Sequence, residues 1–172
     1  DLVVLSARKP DVSGTLIEAS HGNVNRRLAQ YSLSSSPLLR WEHACLLVYQ
    51  KISRQRKNID KLSLPQGAGL YQGTLDKRLQ SVELLSHGAP NVHALMGVEG
   101  AASATWYKAY AEAIPSQWNF SGRNRNPPRD PVNVLISLAS TLLHADATRS
   151  AKAAGLDPML GILHEVSYGR PS

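Results

Sequence analysis

The chain has 172 residues, enough for one domain with a real core. It contains no run of about 18 apolar residues, so a membrane-spanning helix is excluded, and its single cysteine, Cys45, excludes an internal disulfide and suits a reducing compartment. A net charge of +6 with a pI near 9.7 favours a polyanionic partner.

The first residues read as two short strands. Leu2–Leu5 is a β-rich apolar run and Thr15-Leu-Ile-Glu a second, with turn chemistry from Lys9 to Gly14 between them. Two strands alone are marginal in water, so residues 1–20 read as the last strands of a small β-domain. No basic leader segment precedes them.

From His21 the pattern becomes helical. Asn23–Tyr31 is a short helix. Ser36 and Pro37 signal the start of the next, which carries Leu38, Trp41, Cys45, Val48 and Ile52 as an apolar stripe. Lys51, Arg54, Arg56 and Lys57 cluster in its last turns, where cations suit the helix dipole. A second cluster is Arg123, Arg125 and Arg129. Each cluster can supply phosphate contacts with salt-dependent binding; each helix-end cation taken singly is better explained as a solvated surface charge.

Residues 63–69 form a loop. Thr74 is the expected cap of a helix bearing Leu75, Leu79, Val82 and Leu85, which His87-Gly-Ala-Pro terminates. Asn91 opens the following helix. Val92, Leu95, Met96, Ala102, Trp106, Ala109 and Tyr110 line one face, and Glu99 sits on that same face. A carboxylate inside an apolar stripe is costly unless it is paired, hydrogen-bonded or metal-bound. An arginine salt bridge and a ligand role are equally compatible with the pattern. Its small neighbours, Gly100 to Ser103, leave room for another element.

Gly122-Arg-Asn-Arg-Asn-Pro-Pro-Arg-Asp is a stiff cationic loop, preceded by Trp118 and Phe120, which suit either base stacking or anchoring. Asp130 and Pro131 begin a helix whose leucines point in nearly all directions, as in a central helix; His144 and Asp146 fall on its polar end, and Gly155 stops it. Leu156-Asp-Pro-Met-Leu-Gly-Ile-Leu then delivers His164, beside Glu165. Mixed imidazole and carboxylate donors suit manganese or magnesium better than structural zinc. No zinc-type Cys/His spacing, phosphate loop or Gly-x-Ser-x-Gly elbow is present.

Three blocks carry a family resemblance. They are Glu99-Gly-Ala-Ala-Ser with Trp106-Tyr107, then Gly122-Arg-Asn-Arg with Asp130-Pro-Val-Asn, and last Ala154-Gly-Leu-Asp-Pro-x-Leu-Gly-x-Leu-His-Glu-x-x-Tyr-Gly-Arg-Pro-Ser. Together they closely resemble the CRISPR-associated spacer-acquisition integrase ("Cas-one") family, across nearly the whole chain. Casposases share the same blocks. The resemblance implies a mainly α protein: an all-helical nuclease/integrase domain over 21–172 after a β-domain remnant over 1–20. It implies a metal site in which Glu99 and His164 fall on the glutamate and histidine ligands, with manganese or magnesium bound. The third ligand, an aspartate, lies in the family about a dozen residues beyond the histidine, past Ser172; the helical domain is therefore expected to stop before its last catalytic helix. DNA contacts are expected from Arg123, Arg125, Lys51, Arg54 and Arg170. The implied activity is insertion of spacer DNA into a CRISPR array by transesterification, in antiviral defence. The implied partners are prespacer and repeat duplex DNA, a second copy of the chain and a small "Cas-two" protein, in the prokaryotic cytoplasm. The alternatives are a casposase-type transposon integrase and a catalytically incomplete DNA-binding or scaffolding domain.

Overall fold

The computed structural model describes residues 2–5, 12–16, 24–65 and 67–163. Two strands, β1 (Leu2–Leu5) and β2 (Val12–Leu16), precede five helices: α1 (Val24–Ser35), α2 (Pro37–Ile59), α3 (Gly69–Ser86), α4 (Val92–Ala113) and α5 (Pro131–Ala153). The chain is mainly α, as its sequence implied. Residues 1–36 and 135–172 form one compact unit and residues 37–134 another.

In the first unit β1 and β2 pair antiparallel, from Leu2 opposite Leu16 to Leu5 opposite Val12, with an irregularity between Val4 and Leu5. The sequence placed Val12, Ser13 and Gly14 in a turn; the ladder recruits them, because cross-strand pairing outweighs the weak strand preference of Ser and Gly. Helix α1 is tied to the segment that follows α5. Arg26 Nη1 donates to the Ala154 carbonyl at 2.8 Å, and the Gln30 side-chain amide both donates to the Asp157 carbonyl and accepts from its N–H, each at 2.8 Å. Gly155, at φ +79°, closes α5. Its N–H donates to Lys152 and that of Leu156 to Ala151, the paired bonds of a glycine C-cap. Leu135, Leu138, Leu142 and Leu143 of α5 are exposed, so the central-helix expectation from their all-round pattern is not met in this chain.

The second unit packs α2, α3 and α4 against one another. Trp41, Cys45, Val48 and Ile52 of the anticipated stripe are buried and Ala44 and Ile59 extend it, while Leu38 remains 61% exposed at the first turn. Leu75 and Val82 of α3 and Leu95, Ala102 and Ala109 of α4 close the core. Helix α3 begins at Gly69, well before Thr74, whose Oγ1 back-bonds to the Leu70 carbonyl at 2.9 Å. The earlier start is fixed by Tyr71, a buried ring whose hydroxyl donates to Glu112 of α4. A tertiary anchor here outweighs a local cap signal. Asn91 caps α4 as its sequence predicted, its Oδ1 accepting from the Ala94 N–H at 3.0 Å.

Candidate metal and nucleic-acid site

Glu99 lies midway along α4, its side chain 22% exposed. Ser103, one turn later, donates its hydroxyl to Glu99 Oε1 at 3.1 Å. Lys51 of α2 donates its ammonium to the same oxygen. The carboxylate is therefore ion-paired, as the cost of half-burying it requires, and its cationic partner is a lysine rather than an arginine. A Cβ built on Gly97 or Gly100 meets nothing within 4 Å, so these two glycines face open space, while Ala102 of the same stretch is buried in the core.

Glu99 can supply one anionic oxygen donor to a divalent cation, from a rigid helix and with its side chain held by Ser103, but Lys51 sits on the same oxygen and a bound cation would have to displace it. Among the described residues no three His, Cys, Asp or Glu side chains stand together as a metal set. His164 and Arg170 lie outside the described residues, as does Glu165. The segment that leads to His164 is described as far as Leu163. It is braced by Gln30 and by Asp157, whose Oδ1 accepts from the Met159 N–H at 2.9 Å.

The cationic loop between α4 and α5 is built around a residue the charge pattern does not single out. Asn133 is fully buried. Its Oδ1 accepts from Arg123 Nη1 and from the Asn124 N–H, both at 3.0 Å; its Nδ2 donates to the Gly122 carbonyl at 2.9 Å and to Asp130 Oδ2 at 2.6 Å. Asp130 caps α5, accepting from the Asn133 N–H at 2.8 Å. Burial raises the Asp130 carboxyl, but hydrogen bonds from Asn133, Asn124 and the Val132 amide outweigh it and hold the group below the ordinary carboxylate value. Arg123 is thus turned inward as a strut, while Arg125 is exposed and makes no ion pair or hydrogen bond among the described residues. The available signal for Asn133 was an amide three residues after a capping aspartate at a helix start.

Around α2, Arg56 forms a two-pronged pair with Asp76, one arm at 3.2 Å, and Asp76 is the first cause that raises the guanidinium pKa. Arg54 is exposed and, among the described residues, without a polar partner. Trp118 is 46% exposed, whereas Phe120 is buried as an anchor, edge-on to Tyr110. His144 and Asp146 are exposed, as their place at the polar end of α5 implied, and His87 and His93 are exposed as well.

Residues 2–172 match the family model of the CRISPR associated protein Cas1. The chain belongs to the Cas1 family. A CRISPR-associated endonuclease Cas1 from Thermodesulfovibrio yellowstonii is 33% identical over 99% of this chain and 54% of its own length. The chain spans about half the length of such curated relatives. Among solved structures, a partial Cas6-RT-Cas1–Cas2 complex matches 87% of this chain and 44% of its own, at 27% identity and a TM-score of 0.72. A casposase bound to integration product has the same fold, with a TM-score of 0.76 over 98% of this chain and 46% of its own, at 19% identity. No helix among the described residues is long and apolar enough to cross a membrane.

Proposed function

We propose that this Cas1 chain is the helical part of a metal-dependent DNA endonuclease/integrase that inserts spacer DNA into a CRISPR array. The observation that carries the reading is Glu99, a half-buried carboxylate fixed by Ser103 and faced by Lys51 on a helix beside exposed cations. Glu99 and His164 are the proposed ligands for manganese or magnesium. Bound there, the cation supplies Lewis acidity at the scissile phosphate and stabilises the departing oxyanion. In the reaction a DNA 3′-hydroxyl attacks a target phosphodiester; one P–O bond forms, another breaks, and the leaving oxygen takes a proton. Ser103 holds the rotamer of Glu99, and Lys51 on the same oxygen would give way to a bound cation. Arg125, Arg54 and Arg170 neutralise phosphates along the duplex, and Arg123 orders the loop that presents Arg125. A second copy of the chain and a Cas2 protein are the proposed assembly partners, in keeping with the Cas1–Cas2 complexes among its structural neighbours.

The chemistry is tested with Glu99→Gln and His164→Asn. Each variant should lose joining of a prespacer-like duplex to a supercoiled plasmid in manganese, and should weaken manganese binding by calorimetry, while duplex affinity persists. Joining at the wild-type rate by either variant would remove that residue from the metal site. The likeness to a casposase favours a second reading, a transposon integrase with the same chemistry; the gene's neighbourhood separates them, because a CRISPR array accompanies only the first.

A further inference from the structure

Helices α2 and α3 leave a groove of about 340 Å³ between them, within the second unit. Its α2 wall is Glu42, Cys45, Leu46 and Tyr49, the i, i+3, i+4 and i+7 positions of one helical face. Its α3 wall is Val82, Glu83, Ser86 and His87. Cys45 and Val82 are buried and form the floor, while Leu46 is 52% exposed and Tyr49 half-buried. A leucine left in water above a buried apolar floor, in a groove between two helices, is the surface on which the apolar stripe of a third helix packs.

Charge decides which kind of helix. Asp60, Asp76, Glu99, Glu112 and Asp146 each bond to the side chain of another residue. Asp130 and Asp157 accept from backbone amides. Glu42 and Glu83 differ: both are exposed, and neither carboxylate has an ion pair or hydrogen bond among the described residues. Both line this one groove. In a chain of net charge +6, cations to pair with them are plentiful, so leaving both free on either wall of an apolar groove makes a local negative surface on a basic protein. No lysine or arginine lines the groove, so a phosphate backbone is repelled there.

We infer that this groove docks a cationic amphipathic helix of a partner protein, with its apolar stripe on Leu46, Tyr49 and the floor and its lysines or arginines on Glu42 and Glu83. The apolar contact supplies affinity, and the two carboxylates select the sign of the partner's charge and fix its register. None of the lining residues is a proposed metal ligand or phosphate contact, so the surface is separate from the integrase chemistry and stands or falls without it.

The probe is a labelled, helix-forming peptide of about 15 residues, with leucines three and four apart on one face and lysines beside them. Its control carries glutamates in place of the lysines. Binding to the full chain is read by fluorescence anisotropy. Wild type should bind the lysine peptide and not the glutamate peptide. Glu42→Gln combined with Glu83→Gln should weaken the lysine peptide roughly tenfold. Glu42→Lys combined with Glu83→Lys should reverse the preference, and Leu46→Ala should weaken whichever peptide binds. The three side chains are exposed and the carboxylates unpaired, so the variants keep the fold, which melting curves check. Lysine-peptide binding that survives the double charge reversal overturns the site. Equal displacement of the peptide by spermidine overturns it in favour of a small polycation. A concentration-dependent dimer lost in Leu46→Ala gives the groove to a second copy of the chain and overturns it as well.

Discussion

Replacing Asn133 by alanine should collapse the order of the cationic loop. The side chain makes four hydrogen bonds, to Arg123, Asn124, Gly122 and Asp130, from a fully buried position. At a net contribution of about 1 kcal/mol each, with the Gly122 carbonyl and Asn124 amide left unpaired, the loss is roughly 3–5 kcal/mol. Urea unfolding should register this as a midpoint lowered by about 1–2 M. Hydrogen exchange gives the local readout: the Asn124 amide, protected by Asn133 Oδ1, should exchange freely in the variant. Asn133→Asp sharpens the reasoning. It keeps the accepting oxygen for Arg123 and Asn124 but sets a carboxylate against Asp130 Oδ2, where the wild-type contact is 2.6 Å. Like charges that close raise one of the two pKa values. Asn133→Asp should therefore gain stability on acidification, as the pair takes up a proton. Wild type should do the opposite: the Asp130 pKa is depressed in the folded state, so its contribution is present above the unfolded carboxylate value and is lost as pH falls through the folded one. An Asn133→Ala protein within about 0.5 kcal/mol of wild type, with Asn124 still protected, would refute the hub.

Tyr71 provides an alkaline counterpart. Burial first, then its bond to Glu112, pushes the phenol up to about 12. Stability from this contact should be intact below about pH 10 and lost as pH rises from there toward 12; Tyr71→Phe should abolish that extra alkaline loss in a pH series of melting curves, and an unchanged series would contradict the assignment. For DNA binding, Arg125→Ala should lower the slope of log K against log salt by about 1. Arg56→Ala should leave it unchanged, because Asp76 already neutralises that guanidinium; equal effects of the two would deny the division between them.

Local signals were the legible part of this chain. Asn91 and Asp130 cap helices, Gly155 ends one, and Trp41 to Ile52 is a buried stripe, each because a single turn or one helical period carries the information. Glu99 stood out for the same reason: a charge interrupted a period. The partners of these residues were not legible. Lys51 and Glu99 are 48 residues apart, and nothing in either neighbourhood specifies that they meet. The start of α3 was misplaced because Tyr71 is fixed by Glu112, 41 residues away, and not by a cap. Asn133 was marked only as the end of the Asp130-Pro-Val-Asn block, and its role was not legible because an amide carries no charge pattern, although it holds the loop's charges in place.

The same distinction decides what the basic composition means. The sequence grouped Lys51, Arg54, Arg56 and Lys57 as one cluster and Arg123, Arg125 and Arg129 as another, and could not tell phosphate contacts from solvated charges within either. Folding divides them. Arg56 is neutralised by Asp76, Lys51 faces Glu99, and Arg123 is spent on the oxygens of Asn133 and Asn124. Arg54, Lys57, Arg125 and Arg129 are left with exposed side-chain charges and no ion pair among the described residues. A protein that merely tolerates a high pI has no reason to hold some arginines inside a hydrogen-bonded scaffold and leave others exposed beside them. Here the bound cations build the frame, Arg54 and Lys57 remain exposed on α2, and Arg125 and Arg129 remain exposed on the loop that Asn133 holds. The exposed charge is thus concentrated at the end of α2 and on the loop before α5, and the proposed function assigns both patches to the regularly spaced phosphates of a DNA backbone.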